Sequence, residues 1–213
     1  MSDVTEQSPS QLAYGRTEWD DHHHLPTNTG LTNEKVTMWA FLGSDCLLFG
    51  ALISTYLLLR NRVGPATEGP TAADLFDIPF TSVSSFVLLM SSLTMVLAVT
   101  SIQRGEMDRC KLWLLTTAAL GAIFIAGQVY EFTSFYREGL GFTTNISSSA
   151  FYTLTGFHGV HVSLGIVMLV TMWVLVSGGQ IGAERAETIE IIGLYWHFVD
   201  LSLIHISEPT RPY

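Results

Sequence analysis

Residues 149–176 read SAFYTLTGFHGVHVSLGIVMLVTMWVLV, and this stretch decides the fold. It holds no Asp, Glu, Lys or Arg, and it exceeds the roughly 20 apolar residues that a helix needs to cross a hydrocarbon layer about 30 Å thick. Its polar residues do not alternate with apolar ones, as a membrane barrel strand requires. A helix is then the remaining way to satisfy every backbone group inside the segment. The run predicts a transmembrane helix that carries His158 and His161 within it.

Four more runs extend the pattern to either side. The expected spans are 36–59, 79–102, 112–136, 149–176 and 189–207, an all-α polytopic transmembrane bundle forming one domain over 36–207. The second run has no charge but nine Ser or Thr, whose hydroxyls can bond their own helix or a neighbour. The fifth is the shortest and most polar, with Glu190, His197, Asp200 and His205. Polar links rich in Gly join the runs, at 103–111 around Gly105, at 139–145 and at 177–188.

Composition agrees with a bilayer as solvent. Of 213 residues, 48% are hydrophobic and only 14% charged, where a soluble domain carries about 25% charge. Ten Lys plus Arg against nineteen Asp plus Glu leave a net charge of -9, which excludes a nucleic-acid partner. Two cysteines exclude a disulfide scaffold. Cys46 is expected well inside the membrane and Cys110 at its inner surface, too far apart to pair. Residues 1–35 form a polar, acidic cytoplasmic tail without the apolar region of a cleavable signal. Its His22, His23 and His24 read as a solvated run rather than a metal site.

Five spans put the termini on opposite sides. Lys35, Arg104, Arg109, Lys111 and Arg185 fall on the N-terminal side and Arg60, Arg62 and Arg137 on the other, which places the N-terminus inside. Trp39, Trp113 and Trp173 would mark the inner interface, and Tyr56, Tyr136 and Tyr152 the outer one. Ala118, Ala122 and Ala126 in the third run, and Gly156, Gly159 and Gly165 in the fourth, are the expected helix-packing positions.

Function must then come from polar residues inside the runs. Asp45 lies nine residues into its run, roughly 13 Å deep and close to the bilayer midplane. A carboxylate there costs on the order of 3 kcal/mol, and desolvation favours its protonated form. Two roles fit: a proton carrier, or a protonated group donating one structural hydrogen bond. Three further pairs are spaced by three, which puts both members on one helical face: Gln128 with Glu131, His158 with His161, and His197 with Asp200. No Glu-x-x-His motif of a di-iron bundle occurs in these runs. His158 or His161 with His197 is a candidate axial pair for a b-type haem. The preferred reading is a hydrogen-bonded ladder tying the third, fourth and fifth helices together and to a partner.

Four motifs also carry a resemblance. Trp39-Ala-Phe-Leu-Gly-Ser-Asp-Cys-Leu-Leu-Phe-Gly50, Gln128-Val-Tyr-Glu-Phe132, Phe151-Tyr-Thr-Leu-Thr-Gly-Phe-His-Gly-Val-His-Val162 with Gly165, and Tyr195-Trp-His-Phe-Val-Asp200 resemble, in order, the signature stretches of subunit III of the haem-copper oxidases. The likeness covers residues 31–200 and fits the five-helix form that lacks the first two of seven helices. It implies a non-catalytic chain without a redox centre or metal of its own. Haem and copper would lie in the partners, the catalytic subunit I and subunit II, while this chain packs on subunit I, binds phospholipid and supports sustained oxygen reduction. Asp45 matches the family's carbodiimide-reactive carboxylate, which is linked to proton uptake and is more often Glu. His158, His161, His197 and Asp200 match positions read as structural. The expected setting is a cytochrome c oxidase in a bacterial plasma (inner) membrane. The alternatives are a quinol oxidase subunit III, a nitric-oxide-reductase accessory chain of the same family, and a free-standing b-haem anchor.

Beyond the fourth motif the resemblance stops. Family members continue with an apolar run of roughly fifteen residues, as a full span needs, whereas this chain reads Leu-Ser-Leu-Ile-His-Ile-Ser-Glu-Pro-Thr-Arg-Pro-Tyr over 201–213. Pro209 and Pro212 cannot extend the helix, and the stretch resembles a translated sequencing adapter. Residues 201–213 are therefore expected to be non-native. Resequencing the locus from clean genomic DNA should give an apolar continuation after Asp200; a stop codon directly after the Tyr213 codon would overturn that expectation.

Overall fold

The computed structural model describes residues 32–59, 78–182 and 186–210, of which 78 and 203–210 are described by backbone alone. The chain divides into two compact units, Met1–Thr37 and Met38–Tyr213. Of the first, the described part is residue 32 and the opening residues of a helix. Five helices make up the described structure: α1 Asn33–Leu59, α2 Ile78–Gln103, α3 Met107–Arg137, α4 Ile146–Ser177 and α5 Ala186–Thr210. No strand occurs among the described residues.

Every helix extends past its apolar run, because apolar counting misses polar first turns. α3 starts at Met107 rather than at 112. Its charged opening is held by pairs three residues apart, Arg109 to Glu106 at 3.0 Å and Lys111 to Asp108 at 3.3 Å. Asp108 also complements the helix dipole there. α4 starts at Ile146 because Asn145 and Ser148 form a reciprocal cap, in which the Ser148 N–H donates to Asn145 Oδ1 at 2.6 Å and the Asn145 N–H donates to Ser148 Oγ at 3.3 Å. α5 spans 25 residues, not the nineteen of the expected run. It begins at Ala186 with Glu187 in its first turn and runs through Pro209, a proline near the helix end costing little more than one intrahelical bond.

The turns after α2, α3 and α4 share one chemistry. Gly105, Gly139 and Gly179 take φ of 76°, 92° and 70°. The following N–H then reaches back to the last helical turn: Glu106 to Ser101 O, Leu140 to Phe135 O and Gln180 to Leu175 O, at 2.9, 2.9 and 3.0 Å. A side chain would strain that left-handed backbone.

Within the larger unit α2 packs on α3, α3 on α4, α4 on α5, and α5 back on α2, which closes a four-helix ring. Its core joins Met95 and Ala98 of α2, Leu114 and Ala118 of α3, Val162 and Leu169 of α4, and Tyr195 and Trp196 of α5. Trp196 is the wedge. A Cβ at Gly121 would lie 2.6 Å from Trp196 Cη2, and one at Gly165 2.9 Å from Trp196 Cε3. The indole N–H donates to Ser91 Oγ at 3.1 Å, so the ring touches all three other helices and leaves no polar atom unmet. Thr94 and Thr117 hydroxyls bond across α2 and α3 at 2.8 Å.

The expected packing stripes are only partly the contact faces. Gly159 and Gly165 do sit beneath neighbouring side chains, those of Gln128 and Trp196, but Gly156 has open space where a Cβ would point. Ala118 is buried, whereas Ala122 and Ala126 are exposed. The close approach on α3 is made by Gly121 instead, because the contact face is set by where Trp196 enters. Tyr56 is buried, its ring 6.2 Å from that of Phe151.

Four helices, α1 to α4, are long and apolar enough to cross a membrane by length and composition. α1 is set apart among them: 11% of its most apolar window is buried, against 28–39% for the others. Its buried residues are Asp45, Phe49 and Tyr56. The packing predicts a contrast between two glycines of one helix. Gly165→Val should cost about 1–3 kcal/mol by overpacking against Trp196, while Gly156→Ala should stay within about 0.5 kcal/mol of wild type. Unfolding of the detergent-solubilised chain measures both.

Candidate functional site

α1 brings Asp45 to α4. The carboxylate is 6% exposed, and its Oδ2 lies 3.4 Å from His161 Nε2. That is an ion-pair distance without the alignment of a hydrogen bond, and Oδ2 has no hydrogen-bond partner. The other ring nitrogen settles what the pair can hold. His161 Nδ1 is 2.8 Å from the Phe157 carbonyl oxygen, which can only accept, so Nδ1 carries a proton and donates it. A neutral imidazole then turns a lone pair toward Asp45. Two facing acceptors are stable only when one proton lies between them, on the carboxyl as an acid or on the ring as a cation. The pair joins α1 to α4, with Asp45 buried and His161 partly buried.

Aromatic rings close it off. Phe49, one turn from Asp45, is buried edge-on to His161 at 5.1 Å, to His158 at 6.4 Å and to Phe198 at 6.3 Å. Phe41, one turn to the other side, stacks on Tyr195 at 6.2 Å. The Tyr195 hydroxyl donates to the His161 carbonyl at 3.0 Å, which fixes α5 against the turn that carries the imidazole.

The three pairs spaced by three do not act as pairs. Gln128 Nε2 donates to the Thr155 carbonyl of α4 at 2.8 Å, and its amide lies where a Cβ at residue 159 would come within 2.9 Å. Glu131 turns to α2 instead, where the Thr81 hydroxyl donates to Oε1 at 3.1 Å. His158 is fully buried, edge-on to Phe124 at 5.8 Å, with Nδ1 3.0 Å from Ser202 Oγ and Nε2 without a partner. Ser202 belongs to the stretch expected to be non-native. Ser92 Oγ of α2 lies 2.6 Å from His197 Nδ1, while Asp200 is buried with its Oδ1 without a hydrogen-bond partner.

The two imidazoles offered as a haem pair therefore have separate neighbours, Ser202 for His158 and Ser92 for His197. No group of three or more His, Cys, Asp or Glu able to hold a metal occurs among the described residues. The residues that spacing missed are Phe49, Ser92, Tyr195 and Trp196. The Tyr-Trp-His-Phe-Val-Asp stretch and the serine-rich second span were visible as signals, but which side chain meets which helix depends on rotation about each axis.

Comparison with known proteins gives one consistent result. A family described as "Cytochrome c oxidase subunit III" matches residues 16–206. The chain is 36% identical to cytochrome c oxidase subunit 3 of Bacillus sp. (strain PS3), over 82% of this chain and 83% of that one. It is 34% identical to a probable quinol oxidase subunit 3 of Staphylococcus saprophyticus, over 81% and 85%. It is 33% identical to cytochrome bo(3) ubiquinol oxidase subunit 3 of Pseudomonas aeruginosa, over 85% and 84%.

The 3.4 Å contact predicts energetic coupling. A double-mutant cycle of Asp45→Asn with His161→Leu should show an interaction of roughly 0.5–3 kcal/mol in chemical unfolding. Additive single effects would mean that the two groups are neighbours without sharing a proton.

Proposed function

Because the chain belongs to the cytochrome c oxidase subunit III family, we propose that it is the non-redox third subunit of a respiratory haem-copper oxidase, most simply a cytochrome c oxidase. In this reading the complex reduces oxygen while this chain covers the catalytic subunit I, holds phospholipid and sustains proton uptake. Haem and copper belong to the partner subunits. Five spans with the N-terminus inside, in a bacterial plasma membrane, complete the assignment; the excess of Lys and Arg at the expected inner span ends supports that orientation.

One observation carries the role: the Asp45–His161 pair, a buried carboxylate facing an imidazole whose other nitrogen is already committed. A group that holds one proton inside the bilayer can take it up and release it, whereas a purely structural polar contact needs only a fixed donor and acceptor. The sparse cover over α1 supports a protein or lipid partner on that helix, since a span attached by so few side chains gains little packing from its own chain.

A quinol oxidase is the second reading. It is favoured by relatives of that name at 33–34% identity, close to the 36% of the cytochrome c oxidase relative. Co-purification in mild detergent separates the two: a copper-bearing, cytochrome-c-docking subunit II accompanies the chain in the first case and is absent in the second. In the purified complex Asp45→Asn should assemble normally, because the amide keeps the volume, but it should alter proton uptake or shorten activity over prolonged turnover. A mutant that matches wild type over many turnovers would leave Asp45 a structural role alone.

A further inference from the structure

Residues 138–145, the turn between α3 and α4, draw donors for their carbonyls from their own chain at four successive positions. The Thr144 hydroxyl donates to Gly139 O at 3.1 Å, the Tyr152 hydroxyl to Leu140 O at 2.8 Å, the Ser148 hydroxyl to Gly141 O at 2.8 Å and the Ser149 hydroxyl to Phe142 O at 2.5 Å. The Thr144 N–H is a second donor to Gly141 O at 3.2 Å, so that carbonyl is met even when Ser148 turns to Asn145 O. Carbonyls of a wetted turn take their donors from water, whereas a turn at the edge of hydrocarbon has to find them in protein.

The large side chains sort the other way. Leu140 is fully buried in a cluster with Phe135, Phe151 and Leu154, while Phe142 and Ile146 are 57% and 53% exposed. Tyr136, at the end of α3, is exposed as well. Polar backbone turned inward and apolar rings offered outward, at the ends of two long apolar helices, is the pattern of a segment lying in a membrane interface.

Helix length sets the turn at that level. Lys111 and Arg137 are separated by roughly 39 Å along α3 at 1.5 Å per residue, close to the about 40–45 Å of a bilayer with its headgroups. With Lys111 in one headgroup layer, Arg137 and the turn that follows it lie in the other. Arg137 is exposed, with no ion pair among the described residues, and is free to meet lipid phosphates. Glu138 beside it is exposed too, so this end has no net positive charge with which to select anionic lipid.

We propose that the α3–α4 turn is a lipid-docking surface, which rests in the headgroup–acyl boundary with Phe142 and Ile146 among the upper acyl chains. Its occupant is phospholipid, without selection for a headgroup. The proposal rests on the reading of α3 and α4 as spans and does not depend on the role given to Asp45.

Photocrosslinking of the intact oxidase in its native membrane tests it. Phe142→p-benzoylphenylalanine forms a bond on illumination with whatever C–H group lies against it, and mass spectrometry of the turn peptide identifies that neighbour. The expected result is a phospholipid adduct at residue 142. Ile146→p-benzoylphenylalanine should give the same adduct and serves where the first variant does not assemble. An adduct to polypeptide instead, whether another subunit or residues 60–77 of this chain, overturns the proposal, and so does recovery of the unmodified peptide, the outcome for a turn in water. The same substitution at Val160, exposed and roughly 21 Å further along α4, reports on the span itself. A lipid or protein adduct at 160 with no lipid adduct at 142 and 146 overturns the docking surface alone, whereas unmodified peptide at all three positions overturns the span reading with it.

Discussion

Hydrocarbon offers no hydrogen bonds, and every feature of this chain follows from where its polar groups find them instead. The outward-facing hydroxyls are answered within their own helix. Ser54, Thr55, Thr133, Ser163 and Thr171 are exposed, and each donates to the carbonyl four residues earlier. Side chains that cannot be satisfied that way are turned inward: Gln128 to Thr155 and Trp196 to Ser91. The ring α2–α5 is therefore fastened by a few polar contacts around an apolar core, and the Trp196 wedge sets how closely α3 and α4 approach α5. After this sorting a short remainder of buried polar atoms among the described residues is left without partners, Asp45 Oδ2, His158 Nε2 and Asp200 Oδ1.

The spans were legible because charge exclusion is a one-dimensional signal. A run without Asp, Glu, Lys or Arg, such as 149–176, announces its helix whatever surrounds it. Ends were less legible, because Asn145 with Ser148, or Glu106 with Arg109, extend a helix by chemistry that hydropathy scores against. The polar residues themselves were also visible. Their partners were not, since spacing by three fixes a shared face but not what that face meets. Gln128 and Glu131 show the difference: one turns to α4 and the other to α2. The alanine stripe misled for the same reason, as small residues permit close approach without requiring it, and the approach occurs at Gly121 where a large side chain demands it.

α1 stands in a different relation to the rest. Its apolar window is the least covered, yet it carries the most buried acid of its own run. Phe41, Asp45 and Phe49 recur every four residues and so form one stripe, which meets Tyr195, His161 and the rings around His158. Through this stripe α1 meets the rest while only 11% of its most apolar window is buried.

That distance also gives the Asp-for-Glu departure a physical meaning. The motif around Asp45 resembles one that more often carries Glu, whose side chain is longer by one methylene, about 1.5 Å. At 3.4 Å and out of alignment, Asp45 is near enough for charge to be felt by the imidazole but short of a strong hydrogen bond, which needs roughly 2.7–2.9 Å. A shorter acid therefore makes a weaker contact with the imidazole than a longer one that closed the gap. The stiff fastening in this molecule is supplied elsewhere, by Trp196 and the hydroxyls of α2.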